Sequence, residues 1–104
     1  LGDIGQHFPD TDPAYAGADS LLLLARVAAL LRGRGYRLVN LDATVLAQRP
    51  KLAPFIPEMR RRLAGALGTG FEQVSVKATT GEGLGPVGEG LAIEVHAVCL
   101  IEKV

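Results

Sequence analysis

Three short stretches of this chain carry the residue types that could do chemistry. The first is Gly2-Asp3-Ile4-Gly5-Gln6-His7-Phe8-Pro9-Asp10-Thr11-Asp12. Asp3 stands among glycines, a setting from which a carboxylate projects out of a tight turn. Asp10, Thr11 and Asp12 lie in a second turn pinned by Pro9 and Pro13. Carboxylates held on such a loop are good acceptors for vicinal hydroxyls or for metal-bound water. The same residues also read as a pair of Asx turns and a helix entry. A calcium loop of the EF-hand kind is excluded, because Asp10-x-Asp12 is followed by Ala14 and by no ligand at the required later spacing.

The second stretch is Ala47-Gln48-Arg49-Pro50-Lys51-Leu52-Ala53, between a strand-like and a helix-like segment. Ligands of α/β proteins gather at the carboxyl ends of strands, and the free amides at a helix start favour phosphate. Lys51 adds a positive charge there. Taken alone, the stretch is also an ordinary strand-to-helix connection. The third is Lys77-Ala78-Thr79-Thr80-Gly81-Glu82, two hydroxyls and a carboxylate at a strand end that can donate to a phosphate and share a Mg²⁺ with it. Thr79-x-x-Glu82 also matches a helix capping box, but Gly83-Leu84-Gly85-Pro86 follows and predicts that no helix does.

These stretches need elements to hold them. Residues 1 to 19 show turn residues and no sustained period, so they read as an ordered loop. Asp19 or Ser20 can cap a helix on which Leu21, Leu24, Val27, Ala28 and Leu31 share a face, and Gly33 and Gly35 end it. Tyr36 to Gln48 reads as a strand whose Asn40 and Asp42 mark a polar side. Phe55, Ile56, Met59, Leu63, Ala66 and Leu67 recur at helical steps within 54–67, and Gly68 follows as a stop signal. Val74 to Thr79 alternates with a period of two and forms a short strand. Thr80 to Gly90 holds five glycines and a proline in eleven residues and reads as a loop. Leu91 to Glu102 alternates again and is expected to be the longest strand, with Cys99 a buried apolar residue in it. The strand-helix-strand order of 36–79 implies a parallel pair. The expected architecture is an α/β, more strictly α+β, two-layer sandwich. It has a mixed sheet, helices on one sheet face and a neighbouring subunit over the other.

Composition sets the outer bounds. With 104 residues, 48% hydrophobic, the chain supports one core and is too short for two ordinary domains. Eleven basic and eleven acidic side chains cancel, which argues against a general nucleic-acid or anionic-membrane binder. No apolar run approaches the ~18 residues that a membrane helix needs. A single cysteine points to a reducing compartment, the cytoplasm. The chain opens at Leu1 without Met, inside a loop with no element before it, and a further segment is expected upstream.

Other signals lead nowhere. Gly83-Leu84-Gly85-Pro86-Val87-Gly88 fits G-x-G-x-x-G, but a strand follows, so the dinucleotide reading fails. Arg60-Arg61-Arg62 reads as a solvated helix face. His7 reads as a loop-surface residue and His96 as structural or interfacial.

The first stretch, with the second and third behind it, resembles the 2-C-methyl-D-erythritol 2,4-cyclodiphosphate synthase family from Gly2 through Glu82, and again at Gly88-Glu89-Gly90. The resemblance implies a homotrimer with sites between subunits and a cytidine diphosphate substrate. It implies that Asp3, with Ile4, Gly5, Phe8, Pro9, Asp10, Thr11 and Asp12, holds the methylerythritol phosphate part. Ala47, Gln48, Arg49, Pro50, Lys51, Leu52 and Ala53 would bind the cytidine nucleotide together with Thr79, Thr80, Gly81 and Glu82. Thr80 would stabilise the transition state, and Glu82 would bind Mg²⁺ or Mn²⁺ on the diphosphate.

Family members begin with a further segment, roughly a third of the domain, whose Asp-x-His pair and later His bind zinc, and neither His7 nor His96 matches those ligands. The arginine usual after Gly85 is missing too, which bears on isoprenoid diphosphate binding along the trimer axis. Gly81 and Gly83, where bulkier residues are common, predict a mobile loop. The implied activity is cyclisation with release of CMP in non-mevalonate isoprenoid biosynthesis. The alternative is a non-catalytic cytidine-nucleotide-binding or assembly module of the same fold.

Overall fold

In the computed structural model, which describes all of residues 1–104, the opening segment holds more order than a loop. Asp3 caps a one-turn helix, α1 (Ile4–His7), and Asp12 caps a 3-10 turn over Pro13–Tyr15. Both carboxylates accept from the amide two residues on, the local bond that lets Asp compete for chain turns. The Asx turns and helix entry weighed for this segment are both present.

Asp19 then opens α2 (Ser20–Gly33), its side chain accepting from the Leu21 amide at 2.9 Å. Gly35, at φ +83°, turns the chain out of that helix into β1 (Tyr36–Leu46). Asn40 and Asp42 are exposed while Ala43 is buried, so β1 does have one polar side. A bulge between Leu38 and Asn40 resets the alternation, after which Leu41 and Val45 point into the core.

A 3-10 turn over Ala53–Phe55 leads into α3 (Ile56–Leu67), which ends at Gly68 in the left-handed conformation, φ +67°. Phe55 lies before the helix rather than on its inner face and is 55% exposed. In β2 (Val74–Thr79), Val74 and Val76 are buried and Ser75 and Lys77 exposed, the two-residue period of a half-buried strand. Ala64, Val74 and Val76 form the core, with Leu41, Val45, Ile56, Met59 and Leu63 packed against it. Val74, only 1% exposed, contributes about 1.5–3 kcal/mol by burial.

After a one-turn helix, α4 (Gly85–Gly88), the chain returns as β3 (Glu94–Lys103). The expectation that no helix follows Glu82 is corrected by α4: Leu84 is extended, and Pro86 occupies the first turn, where a missing N–H costs nothing. β1 runs parallel to β2 from Leu41↔Val74 to Leu46↔Thr79 and antiparallel to β3, giving the order β2-β1-β3. The sheet is therefore mixed, with α2 and α3 on one face. β3 has ten residues against eleven in β1, so it is not the longest strand. Every residue of β3 is exposed, including Cys99, which corrects its expected burial: the helices of this chain cover β1 and β2 and leave β3 bare. No helix is long and apolar enough to cross a membrane.

Candidate functional site

The parallel pair brings two of the three stretches together. Ala47 extends the ladder one residue past β1 by donating its amide to the Thr79 carbonyl at 3.0 Å. Residues 47–53 and 79–82 therefore leave the sheet side by side, at the carboxyl ends of β1 and β2. Ala47 is buried, Gln48 and Leu52 are half-buried, and Arg49, Pro50, Lys51 and Ala53 are exposed. The Arg49–Pro50 peptide is cis. Gln48 Oε1 is buried without a donor. The amino end of α3 follows directly and has no side-chain cap.

Across from it, Thr79, Thr80 and Glu82 are exposed and Gly81 is half-buried. Thr80 Oγ accepts from the Glu82 amide at 3.2 Å, which leaves the hydroxyl proton free. Glu82 sits at φ +53°, the one residue other than glycine with a left-handed backbone, a conformation that costs about 1–2 kcal/mol and persists where its surroundings impose it. Those surroundings are glycine crossings. A Cβ on Gly81 would lie 2.6 Å from the Gly88 nitrogen, and one on Gly88 would lie 2.5 Å from the Gly83 carbonyl carbon. The loop expected to be mobile is packed backbone against backbone.

Lys77 points elsewhere, hydrogen-bonding Asp42 on the exposed sheet face. That bond holds the Asp42 carboxyl below its ordinary value against the opposing effect of desolvation, with lesser help from the nearby ammonium charge and from Ser75. Glu58 is likewise held down by hydrogen bonds from Arg62 and Arg61. These two arginines form the solvated face expected of them. Arg60 does not: it turns inward, donating to the carbonyls of Val74 at 2.6 Å and Phe71 at 3.2 Å, with its guanidinium 3.8 Å from the centre of the Phe71 ring. The signal was available, since 56, 60 and 64 share a helix face with Ile56 and Ala64.

The first stretch lies apart from the other two. Asp3 Oδ2 accepts from the Gly5 amide at 3.0 Å, Asp12 Oδ1 accepts from the Ala14 amide at 2.9 Å, and His7 Nε2 meets the Leu1 carbonyl at 2.7 Å. Ile4, Gly5, Asp10 and Thr11 are exposed, and Pro9 is half-buried. The Phe8 ring meets Tyr15 edge-on at 5.3 Å, and Arg26 lies over Tyr15 at 5.5 Å. His7, Phe8, Tyr15, Arg26, Leu30 and Arg34 line an open groove of 590 Å³ against α2. No hydrogen bond joins residues 1–12 to 47–53 or 79–82. A further cavity, 480 Å³, lies at the amino end of β1 beside Arg32, Tyr36 and Thr69, away from all three stretches.

A model of the YgbB family matches residues 1–102. The chain belongs to that family. It is 63% identical over 99% of its length to the 2-C-methyl-D-erythritol 2,4-cyclodiphosphate synthase of Gloeobacter violaceus, and spans 63% of that relative. Among solved structures it superposes on the bifunctional IspDF of Campylobacter jejuni with a TM-score of 0.93 and 36% identity. That match covers all of this chain and 28% of the other. It also matches a CDP complex of IspF from Plasmodium falciparum with a TM-score of 0.82 and 32% identity, over 97% of this chain and 60% of that one.

The family resemblance implies two metals. Zinc finds no fit in the residues present: His7 and His96 lie on different elements, His96 pairs with Glu94, and no three His, Cys, Asp or Glu side chains cluster. Glu82 offers one exposed carboxylate, a hard oxygen donor that suits Mg²⁺ or Mn²⁺ where a phosphate completes the ligand set.

Proposed function

We propose that this chain forms the nucleotide- and substrate-binding part of a 2-C-methyl-D-erythritol 2,4-cyclodiphosphate synthase. This is a phosphorus-oxygen lyase of non-mevalonate isoprenoid biosynthesis. In the reaction, the 2-phosphate of 4-diphosphocytidyl-2-C-methyl-D-erythritol 2-phosphate attacks the β-phosphorus, CMP leaves, and the cyclic diphosphate forms. The observation that carries the reading is the side-by-side exit of 47–53 and 79–82 from the carboxyl ends of two parallel strands, joined by the Ala47–Thr79 bond, in a chain this similar to named synthases.

Intramolecular phosphoryl transfer needs positioning and charge neutralisation more than covalent help. Backbone groups of 47–53 receive the pyrimidine, and Lys51, exposed beside them, brings an ammonium to the diphosphate. Thr80 donates its free proton to a phosphoryl oxygen, oriented by the bond its oxygen takes from the Glu82 amide. Asp3 keeps Oδ1 for substrate hydroxyls because the Gly5 amide occupies Oδ2. Glu82 would hold the divalent cation, which when bound neutralises charge on the diphosphate.

That no hydrogen bond joins the sugar-side stretch to the nucleotide-side stretches supports a site closed between subunits of a homotrimer. The bare β3, with Val95, Val98 and Leu100 each more than half exposed, supplies apolar surface for that assembly. The test is the full-length polypeptide with Mg²⁺ and Zn²⁺ and the cytidine diphosphate substrate. CMP release and a cyclic diphosphate in the phosphorus NMR spectrum are expected, and Glu82→Gln should slow both at least ~100-fold. Binding of CDP with no cyclic product would replace this reading with the non-catalytic nucleotide-binding module.

A further inference from the structure

The exit of the 80–90 loop carries a contact that the ladder does not require. Arg49 leaves the end of β1 exposed, and none of the ion pairs of the structure includes it. Its guanidinium nevertheless lies against Gly90. A Cβ built on Gly90 would stand 3.1 Å from Nη2, 3.2 Å from Nε and 3.6 Å from Cζ. Gly90 is at φ +77°, so a larger residue there would be strained and would also push the guanidinium away.

What is seated at Gly90 is transmitted inward. The Gly90 amide donates to the Val87 carbonyl at 3.0 Å, and the Leu91 amide to the Pro86 carbonyl at 2.8 Å, so the exit of the loop is tied to α4. α4 ends at Gly88, whose backbone lies against both Gly83 and Gly81. Glu82 stands between those two. The path from Arg49 to Glu82 therefore runs through hydrogen bonds and backbone contacts, with no slack chain in it.

From these contacts we infer that Arg49 is a positioning residue: seated on Gly90, it sets the 81–90 loop against the 47–53 segment and so fixes how far the Glu82 carboxylate stands from the pyrimidine side. The consequence for ligands rests on the nucleotide reading above; the contact itself does not. Arg49 acts through Glu82 and need not touch the diphosphate. Lysine carries the charge without the planar group that covers Gly90, and so restores the function only in part.

Two measurements on the full-length protein test this. In the ligand-free protein, Arg49→Gln should raise amide hydrogen exchange at Glu82, Gly88 and Gly90 by roughly fivefold, the effect of losing a contact of modest strength. Gly90→Ala should reproduce the rise by displacing the guanidinium from the other side. Because alanine at φ +77° is strained by itself, Arg49→Gln decides: unchanged exchange in Arg49→Gln overturns the inference, whatever Gly90→Ala does.

In titrations with Mg²⁺, Arg49→Gln should weaken CDP binding, and it should add nothing further in a Glu82→Gln background. Additive losses in the double variant would mean that Arg49 works independently of Glu82 and would overturn it as well. If exchange responds to Arg49 while the unaltered protein fails to bind CDP, the positioning contact is supported and the nucleotide reading is the part that falls.

Discussion

Gly88→Ala is the sharpest probe of the loop that carries Glu82. The added methyl would lie 2.5 Å from the Gly83 carbonyl carbon and 2.9 Å from its Cα. Both are backbone atoms, so no side chain can rotate away. Ordinary carbon contact needs about 3.5 Å, and the two strands of the loop must therefore part by about 1 Å. Forced overpacking of this kind costs about 1–3 kcal/mol. The functional loss should be larger in proportion, since a displacement of about 1 Å at a reacting group costs roughly 100-fold in rate. The control is Gly65→Ala. Gly65 lies inside α3 with nothing within 4 Å of its Cβ position, so alanine there should stabilise the protein by about 0.5–1 kcal/mol. Urea unfolding and CMP release, measured on both variants of the full-length protein, give the answer. Wild-type turnover in Gly88→Ala would show that the crossing does not hold Glu82, and the reasoning for this loop would fail.

Two further outcomes are expected. Arg60→Ala should destabilise the fold by about 2 kcal/mol in urea unfolding, through loss of two charge-assisted bonds to the Val74 and Phe71 carbonyls and the contact with the Phe71 ring. Arg61→Ala and Arg62→Ala, which remove only exposed pairs with Glu58, should each stay within ~0.5 kcal/mol. Asp42 should titrate below its ordinary value of 3.8 and return toward it in Lys77→Met, as read by carboxyl NMR. Because the folded pKa is the lower one, the contribution of the Lys77 pair is complete above the unfolded value and is lost as pH falls through the folded value. A titration unmoved by Lys77→Met would refute the assigned cause.

The strand-helix-strand centre was legible because its periods are local. Val74, Val76 and Ala78 alternate against polar residues, Gly68 marks the helix end, and Asp19 its partner's start. Asp3 and Asp12 were legible as carboxylates on turns, but their capping bonds depend on which way the chain bends after them, and sequence left that open. Cys99 was misplaced for a different reason. β3 puts Val95, Ala97, Cys99 and Ile101 on one face, which alternation marks as the side to be covered, but burial is decided by what packs on the strand, and no helix of this chain does. Glu82 hid its conformation in the same way: its positive φ follows from Gly81 and Gly83 meeting Gly88, a contact across the loop that no linear period reports. The site was readable as three motifs, two of which the parallel register joins and one of which it does not.

That division makes a quantitative prediction about assembly. If Asp3 of one subunit faces Glu82 of its neighbour, two variants that are each inactive should rescue one another when mixed. Asp3→Asn subunits keep an intact nucleotide side, and Glu82→Gln subunits keep an intact sugar side. In randomly mixed trimers from equal amounts, a site is whole when an intact sugar side meets an intact nucleotide side, which chance supplies for roughly a quarter of the sites. Activity of the unfolded, mixed and refolded sample should therefore approach about 25% of wild type, while either variant alone stays near zero. Were both halves of each site drawn from the same chain, every site would carry one defect and mixing would recover nothing. The absence of any bond between residues 1–12 and the two strand-end segments argues for the first outcome, and failure of the mixture to recover would refute the shared site while leaving the fold untouched.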